Sequence, residues 1–127
     1  YVFGINVGTN VSQIIGNITS YNNNVSVSVT DSNGTAKTNS SFVTGDKVKV
    51  TGSDGSKIYS VIIYGDVNGD GIIDAVDYVK VKNYILGKSK IDGVYLKAAD
   101  VNKDGVADAV DYVKIKNQIL GKSKITQ

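Results

Sequence analysis

The sequence predicts two small modules: an α+β or mostly β module over residues 1–64, and an all-α module over residues 65–127 that contains two loop-helix repeats. Composition changes near Gly65, because Asn, Ser, Thr, Gly and Val dominate the first half. Apolar and polar residues alternate in that half with the period of a β-strand. Residues 66–91 and 100–125 form an internal repeat, offset by 34 residues and identical at 21 of 26 positions.

The first elements of the N-terminal module are predicted to be a strand and a helix. Residues 2–7 are apolar enough for an opening strand. Thr9 is a suitable N-cap for a short helix. At helical spacing, one face of that helix carries Val11, Ile14, Ile15 and Ile18. We therefore expect a small α+β or mostly β module with one helix.

The sheet is predicted from two alternating segments and one apolar run. Residues 25–30 and 47–51 alternate Val with Ser, Thr or Lys, which is typical of half-buried strands. Turn residues lie at 33–34 and at 53–56. Residues 57–64 (KIYSVIIY) are predicted to form a more fully buried final strand that leads directly into the first repeat.

Each repeat is predicted to be a loop followed by a helix. Asp74 is positioned to cap a helix over residues 75–86, Asp77 completes a capping-box pair, and Gly87 ends the helix. The second copy has the matching residues Asp108, Asp111 and Gly121. Between the repeats, residues 92–99 are expected to form one or two helical turns, with Tyr95 and Leu96 facing inward. A period of 34 residues also suits tetratricopeptide arrays, but those need helix where each copy here has a loop.

Composition argues against an enzyme. His and Cys are absent, which removes the commonest general base, thiolate chemistry and disulfides. All 12 acidic residues are Asp and all 14 basic residues are Lys, and eight of the Asp lie in the two loops. No apolar run could span a membrane, and the first residues lack signal-peptide features. We therefore expect a mature product or a piece of a larger protein.

The two loops, DVNGDGIIDAVD and DVNKDGVADAVD, have the spacing of twelve-residue calcium loops. Calcium takes six to eight oxygen ligands, and such a loop supplies them from side chains and one main-chain carbonyl as it curls around the ion. Gly71 and Gly105 occupy the position of the sharp turn. The predicted ligands are Asp66, Asn68, Asp70, Ile72 (carbonyl), Asp74 and Asp77 in the first loop, and Asp100, Asn102, Asp104, Val106 (carbonyl), Asp108 and Asp111 in the second.

Calcium is expected to hold the C-terminal module together. Four carboxylates in one short loop repel each other without a cation. We therefore expect two calcium ions, a partly unfolded metal-free form, and binding energy that is also folding energy. A surface turn that binds nothing is the alternative for either loop, and the duplication disfavours it. Both loops close with Asp instead of Glu, and no amphipathic helix precedes them.

The repeat helices carry two apolar faces. Tyr78, Val81 and Ile85 form the expected core face toward the other repeat. A second strip lies beside it, and it either widens the core or binds a partner. With its flanking polar residues, this strip comprises Ala75, Val76, Val79, Lys82, Asn83 and Leu86, and in the second copy Ala109, Val110, Val113, Lys116, Asn117 and Leu120.

From residue 65 to about residue 124 the sequence resembles a type I dockerin, the duplicated calcium-loop module that anchors cellulosomal enzymes to cohesin domains. The resemblance rests on two DxNxDGxxDxxD loops, each followed by a helix. It implies that Ala75, Val76, Lys82 and Asn83, with their counterparts in the second copy, contact a cohesin, and that either repeat does so. Many dockerins have Ser-Thr where both copies here have Ala-Val, so a more apolar contact is expected.

The resemblance further implies an extracellular or cell-surface bacterial protein, with residues 1–64 similar to the accessory X modules that precede some dockerins and brace them. The alternative function is a calcium-stabilised structural or cell-surface module without a cohesin partner. A calcium-switched sensor is disfavoured, because such switches have helices on both sides of each loop.

Overall fold

A computed structural model describes residues 4–22 and 24–127. Its elements are, in chain order, α1 (Val11–Tyr21), β1 (Ser26–Thr30), β2 (Ala36–Lys37), β3 (Lys47–Gly52), β4 (Gly55–Ser60), α2 (Ala75–Ile85), α3 (Gly93–Ala99) and α4 (Ala109–Ile119). A small β-rich region with one helix thus precedes a helical region, as the sequence predicts.

The four strands form one antiparallel sheet in the order β2-β1-β3-β4. The predicted turns lie where the strands reverse: Gly34, with φ +88°, follows β1, and Gly55, with φ +115°, opens β4. The Asp31 carboxylate stabilises the first turn by accepting hydrogen bonds from the main-chain N–H groups of Asn33 and Thr35. Asx turns of this kind explain why polar residues end these strands.

Helix α1 packs its apolar face on the sheet, but it begins one residue later than Thr9. Asn10 is the N-cap, and its Oδ1 accepts from the main-chain N–H of Ser12 at 2.9 Å. Thr9 is not free to cap, because its carbonyl accepts from the main-chain N–H of Phe42. The predicted opening strand is also wrong where it can be checked: residues 4–7 are not a strand, and residues 2 and 3 lie outside the described part.

The final strand ends earlier than predicted, begins at Gly55, and is mostly exposed instead of buried. Strand β4 ends at Ser60, opposite Lys47, which is the first residue of β3. Residues 61–64, here called the junction segment, are buried but lie outside the strand. Val61 and Ile63 face one hydrophobic core, whereas Ile62 and Tyr64 face another. The proposed module boundary after residue 64 stays a prediction, and this segment contributes to both cores.

The first core lies between α1 and the sheet and includes Val11, Val29, Phe42 and Val48. The second lies among the three C-terminal helices and includes Val81, Ile115, Ala98 and Ala99. Tyr95 and Leu96 are half-buried against it, as expected of residues in α3. None of the described helices has the length and apolar character needed to cross a lipid bilayer.

The core face of the repeat helices differs from the prediction at one position. Val81 is fully buried and Tyr78 stacks on Tyr112, with ring centroids 4.4 Å apart. Ile85, however, is 39% exposed. It lies at the end of α2 near the small Ala109 of α4, and the two residues line a shallow depression. The predicted core residue is therefore part of the surface.

Candidate metal loops and apolar surface

The closing aspartate of each loop links the loop to its helix. In the first loop, the Asp77 carboxylate accepts hydrogen bonds from the main-chain N–H groups of Val67 and Asn68 at 2.8 and 3.1 Å, and from Asp74 at 2.9 Å. Asp74 in turn caps α2 by accepting from Val76 N–H at 2.9 Å. This is the predicted capping box. One buried carboxylate thus fixes both ends of the loop.

Asp111 plays the same role in the second repeat. Its carboxylate accepts from the N–H groups of Asn102 at 3.0 Å and Asp108 at 2.8 Å, and Asp108 caps α4 at Val110. The capping box is present here too. The two repeats therefore begin their helices by the same hydrogen bonds.

The third and fifth loop positions also bond to each other. The Asn68 side chain donates to Asp70 at 2.7 Å, and Asn68 accepts from the Asp70 N–H at 3.1 Å. The second loop repeats this pattern with Asn102 and Asp104 at 2.8 and 3.0 Å. These contacts hold the third and fifth positions of each loop together in a tight turn.

Burial makes the loop carboxylates resist ionisation when no cation neutralises them. Desolvation raises the pKa of Asp77 to about 6, although three main-chain N–H donors oppose the shift and the charge of Asp66 adds to it. Burial also raises the pKa of Asp66 and of Asp111. Buried carboxylates with raised pKa values are held at a free-energy cost near neutral pH, which a bound cation would offset.

The donor set suits a hard divalent cation. Carboxylate oxygens of Asp100, Asp104 and Asp111 lie within 4.8 Å of one another, a group of three found once within residues 4–22 and 24–127. All the side-chain donors are oxygens, which calcium and magnesium prefer, and the loop length matches calcium. Asp74 and Asp108 are held in helix caps, so the structure gives them a structural role beside their predicted metal role.

The first loop is more enclosed than the second. Asp66 is fully buried, and its carboxylate accepts from the N–H groups of Gly69, Asp70 and Gly71 and, from outside the loop, Thr44. The N–H donors to Asp100 are Asp104 and Gly105, both within its own loop. Sequence reasoning missed Thr44, because a main-chain donor carries no residue-type signal.

The second apolar strip is at the surface in both repeats. Val76 and Val110 are each 51% exposed, Val79 is 47% and Val113 48% exposed, and Leu86 and Leu120 are 56% and 55% exposed. Ala75, Ala109, Lys82 and Lys116 are exposed too, whereas Asn83 and Asn117 are half-buried. The strip therefore does not widen the core, which leaves it free to bind a partner.

The structure also brings parts of the two strips together. Lys82 and Leu86, from the end of α2, line a shallow depression of about 250 Å³ with Ala109 and Tyr112 from the start of α4. Ile85 lies in the same depression. Because α4 starts beside the end of α2, this candidate docking surface combines residues of both repeats, which helical periodicity within one repeat could not predict.

Residues 64–120 match the family of type I dockerin domains. No curated protein matches the chain. Similar solved structures include the complex of the third cohesin ScaC with the ScaB dockerin from Acetivibrio cellulolyticus (34% identity, 52% of this chain and 93% of the other, TM-score 0.49). Another is the Coh-OlpA-Doc918 complex, a type I cohesin-dockerin complex from Clostridium thermocellum (42% identity, 50% and 100% coverage, TM-score 0.45).

Proposed function

The chain belongs to the type I dockerin family through residues 64–120, and we propose that it is a non-catalytic, calcium-dependent docking module that binds a cohesin domain. Such a module anchors an extracellular protein in a multi-protein complex. We further propose that the anchored protein is bacterial and acts on carbohydrate, and that residues 1–64 form an accessory module that braces the dockerin.

Two calcium ions are proposed to fold the docking module. The first would be held by Asp66, Asn68, Asp70, Asp74, Asp77 and the Ile72 carbonyl, and the second by Asp100, Asn102, Asp104, Asp108, Asp111 and the Val106 carbonyl. When bound, calcium neutralises the loop carboxylates. The raised pKa of Asp77 supports this role, because a buried carboxylate of this kind needs either a proton or a cation.

One observation carries the docking function: both copies of the apolar strip remain about half exposed, and to the same extent. Val76 and Val110 are each 51% exposed. A helix in a small domain normally buries its apolar residues, so duplicated exposure indicates a binding surface. Docking would remove the rest of this area from water, which contributes about 1 kcal/mol for each half-exposed Val or Leu.

The test is titration of cohesins of several classes onto the full chain, in calcium and in chelator. Calorimetry should show tight binding to one class in calcium and none in EDTA. Val76→Asp or Val110→Asp alone should weaken binding by only about twofold, because the other repeat still docks. The double variant should lose more than about 30-fold, which corresponds to about 2 kcal/mol.

Ile58→Asp is the matched control, because Ile58 is 63% exposed on β4, in the other half of the chain. It should leave the affinity unchanged. Absence of binding to every cohesin class in calcium would favour the alternative of a calcium-stabilised structural or cell-surface module. That alternative also predicts that the double variant alters stability alone.

A further inference from the structure

A short loop of the N-terminal region packs directly on the first metal loop. Residues 42–46, here called the brace loop, place Thr44 beside Asp66. The Thr44 main-chain N–H donates to Asp66 Oδ2 at 2.9 Å, and both residues are buried. The Thr44 hydroxyl is also fixed, since it donates to the Ile63 carbonyl at 3.1 Å and accepts from the Ile63 N–H at 3.0 Å. Thr44 is therefore held against the junction segment as it donates to Asp66.

A buried ion pair holds the brace loop in shape. Asp46 Oδ2 accepts from the Lys37 ammonium at 2.6 Å and from the Val43 N–H at 3.0 Å. Lys37 also donates to the Ser41 carbonyl at 2.8 Å. Asp46 is fully buried, so removing its cation would leave a buried charge and loosen the loop. The position of the Thr44 donor is thus set by residues of the N-terminal region.

The first metal loop is shaped to accept this contact, and the second is not. A Cβ at Gly69 would lie 2.8 Å from the Thr44 carbonyl oxygen and 2.9 Å from Tyr95 Cε1, and one at Gly71 would lie 2.9 Å from Val43 Cγ1. The second loop has Lys103 where the first has Gly69, and a Cβ at Gly105 would meet no atom within 4 Å. The replacement of Gly69 by Lys103 in the second repeat is therefore located at the position where the brace loop packs on the first.

The two first-position aspartates consequently differ in support. Four main-chain N–H groups donate to the Asp66 carboxylate, and one of them belongs to the brace loop. Two donate to Asp100, which is partly exposed. Outer donors that orient a metal-binding carboxylate typically change metal affinity by 10- to 100-fold. Support from outside the loop therefore fixes the Asp66 carboxylate before the ion arrives, by a hydrogen bond for which Asp100 has no counterpart.

We propose that the brace loop is a functional part of the first calcium site, so that the two calcium sites are unequal. The first site binds calcium more tightly and depends on the N-terminal region, whereas the second site is self-contained. By linkage, calcium bound in the first loop also stabilises the packing of the brace loop on that loop. This inference rests on the calcium binding in the proposed function, but not on the identity of any protein partner.

The experiment isolates each site in the full chain. Asp104→Ala leaves only the first site and Asp70→Ala only the second, and calcium affinity is measured by calorimetry. Gly69→Lys, which gives the first loop the residue of the second, should weaken the first site by about 10- to 100-fold. Lys103→Gly, the reciprocal control, should leave the second site unchanged, because Lys103 contacts Tyr64 and Gln127 and not the brace loop.

Two further measurements keep the test decisive if Gly69→Lys unfolds the protein. Gly69→Ala adds only the Cβ that would meet the Thr44 carbonyl oxygen at 2.8 Å, and it should weaken the first site in the same direction. In the unaltered chain, the Thr44 amide resonance should shift during a calcium titration together with the first loop and ahead of the second. Equal affinities at both sites, an unshifted Thr44 amide, or the same loss from both reciprocal variants would overturn the inference. If the unaltered chain takes up no calcium, the proposed function fails instead.

Discussion

In calcium-free solution, acidification is expected to stabilise the repeat region, which is the reverse of its behaviour in calcium. Burial raises the pKa of Asp77 from 3.8 to about 6. Between these two values the folded state binds a proton that the unfolded chain has released. Stability therefore falls as the pH rises through this window, and is greatest below the unfolded pKa.

The size of the effect follows from the shift. A difference of about two pKa units corresponds to about 3 kcal/mol, lost between roughly pH 4 and pH 7. The pKa values of Asp66 and Asp111 are raised in the same direction, so they add to the trend. Calcium binds the ionised carboxylates, so in excess calcium a fall in pH displaces the ion and lowers stability.

The assay is urea unfolding followed by circular dichroism, at a series of pH values from 4.5 to 7.5, with protein freed of metal on a chelating resin. The free energy of unfolding should decrease with rising pH without calcium and increase with it. Asp77→Asn should flatten much of the calcium-free slope, because it removes the group with the largest shift. A calcium-free protein that becomes more stable towards pH 7 would refute the electrostatic reasoning.

Three further predictions concern the fold. Ile115→Ala should lower the free energy of unfolding in calcium by about 2–5 kcal/mol, because the side chain is fully buried. The control Ile119→Ala, at a position that is 39% exposed, should lower it far less, and both values are measured by urea denaturation. Lys37→Met should lower the free energy of unfolding by about 3–5 kcal/mol, because it leaves Asp46 buried without its cation. The double variant Lys37→Met with Asp46→Asn should recover part of this loss in the same assay. Gly65→Ala should lower the melting temperature, because Gly65 has φ +97° and a Cβ would lie 3.0 Å from Ile73 and Ile125.

The repeat helices were predictable because their signals are local. Asp74 and Asp77 are three residues apart, which is the spacing of a capping box, and Gly87 ends the helix with φ +70°. The same local signals recur in the second copy. Local side-chain chemistry within one turn of helix is the information that a sequence states most directly.

Long-range contacts were not predictable in the same way. Residues 61–64 (VIIY) are apolar throughout, and a continuous apolar run does not show which of two cores each side chain faces. Thr44 reaches Asp66 across 22 positions through a main-chain amide that every residue except proline has. Ile85 has the period of a core residue but is 39% exposed, where it lines a shallow depression with Ala109 of the other repeat.

The junction segment determines how the two halves would move under load. Val61 and Ile63 are buried in one core, and Ile62 and Tyr64 are buried in the other. A rotation of one half relative to the other would therefore have to expose some of these buried side chains to water. A force applied to the N-terminal half is therefore transmitted to the helices through the buried side chains of the junction segment. An attached partner would consequently hold that half at a set angle.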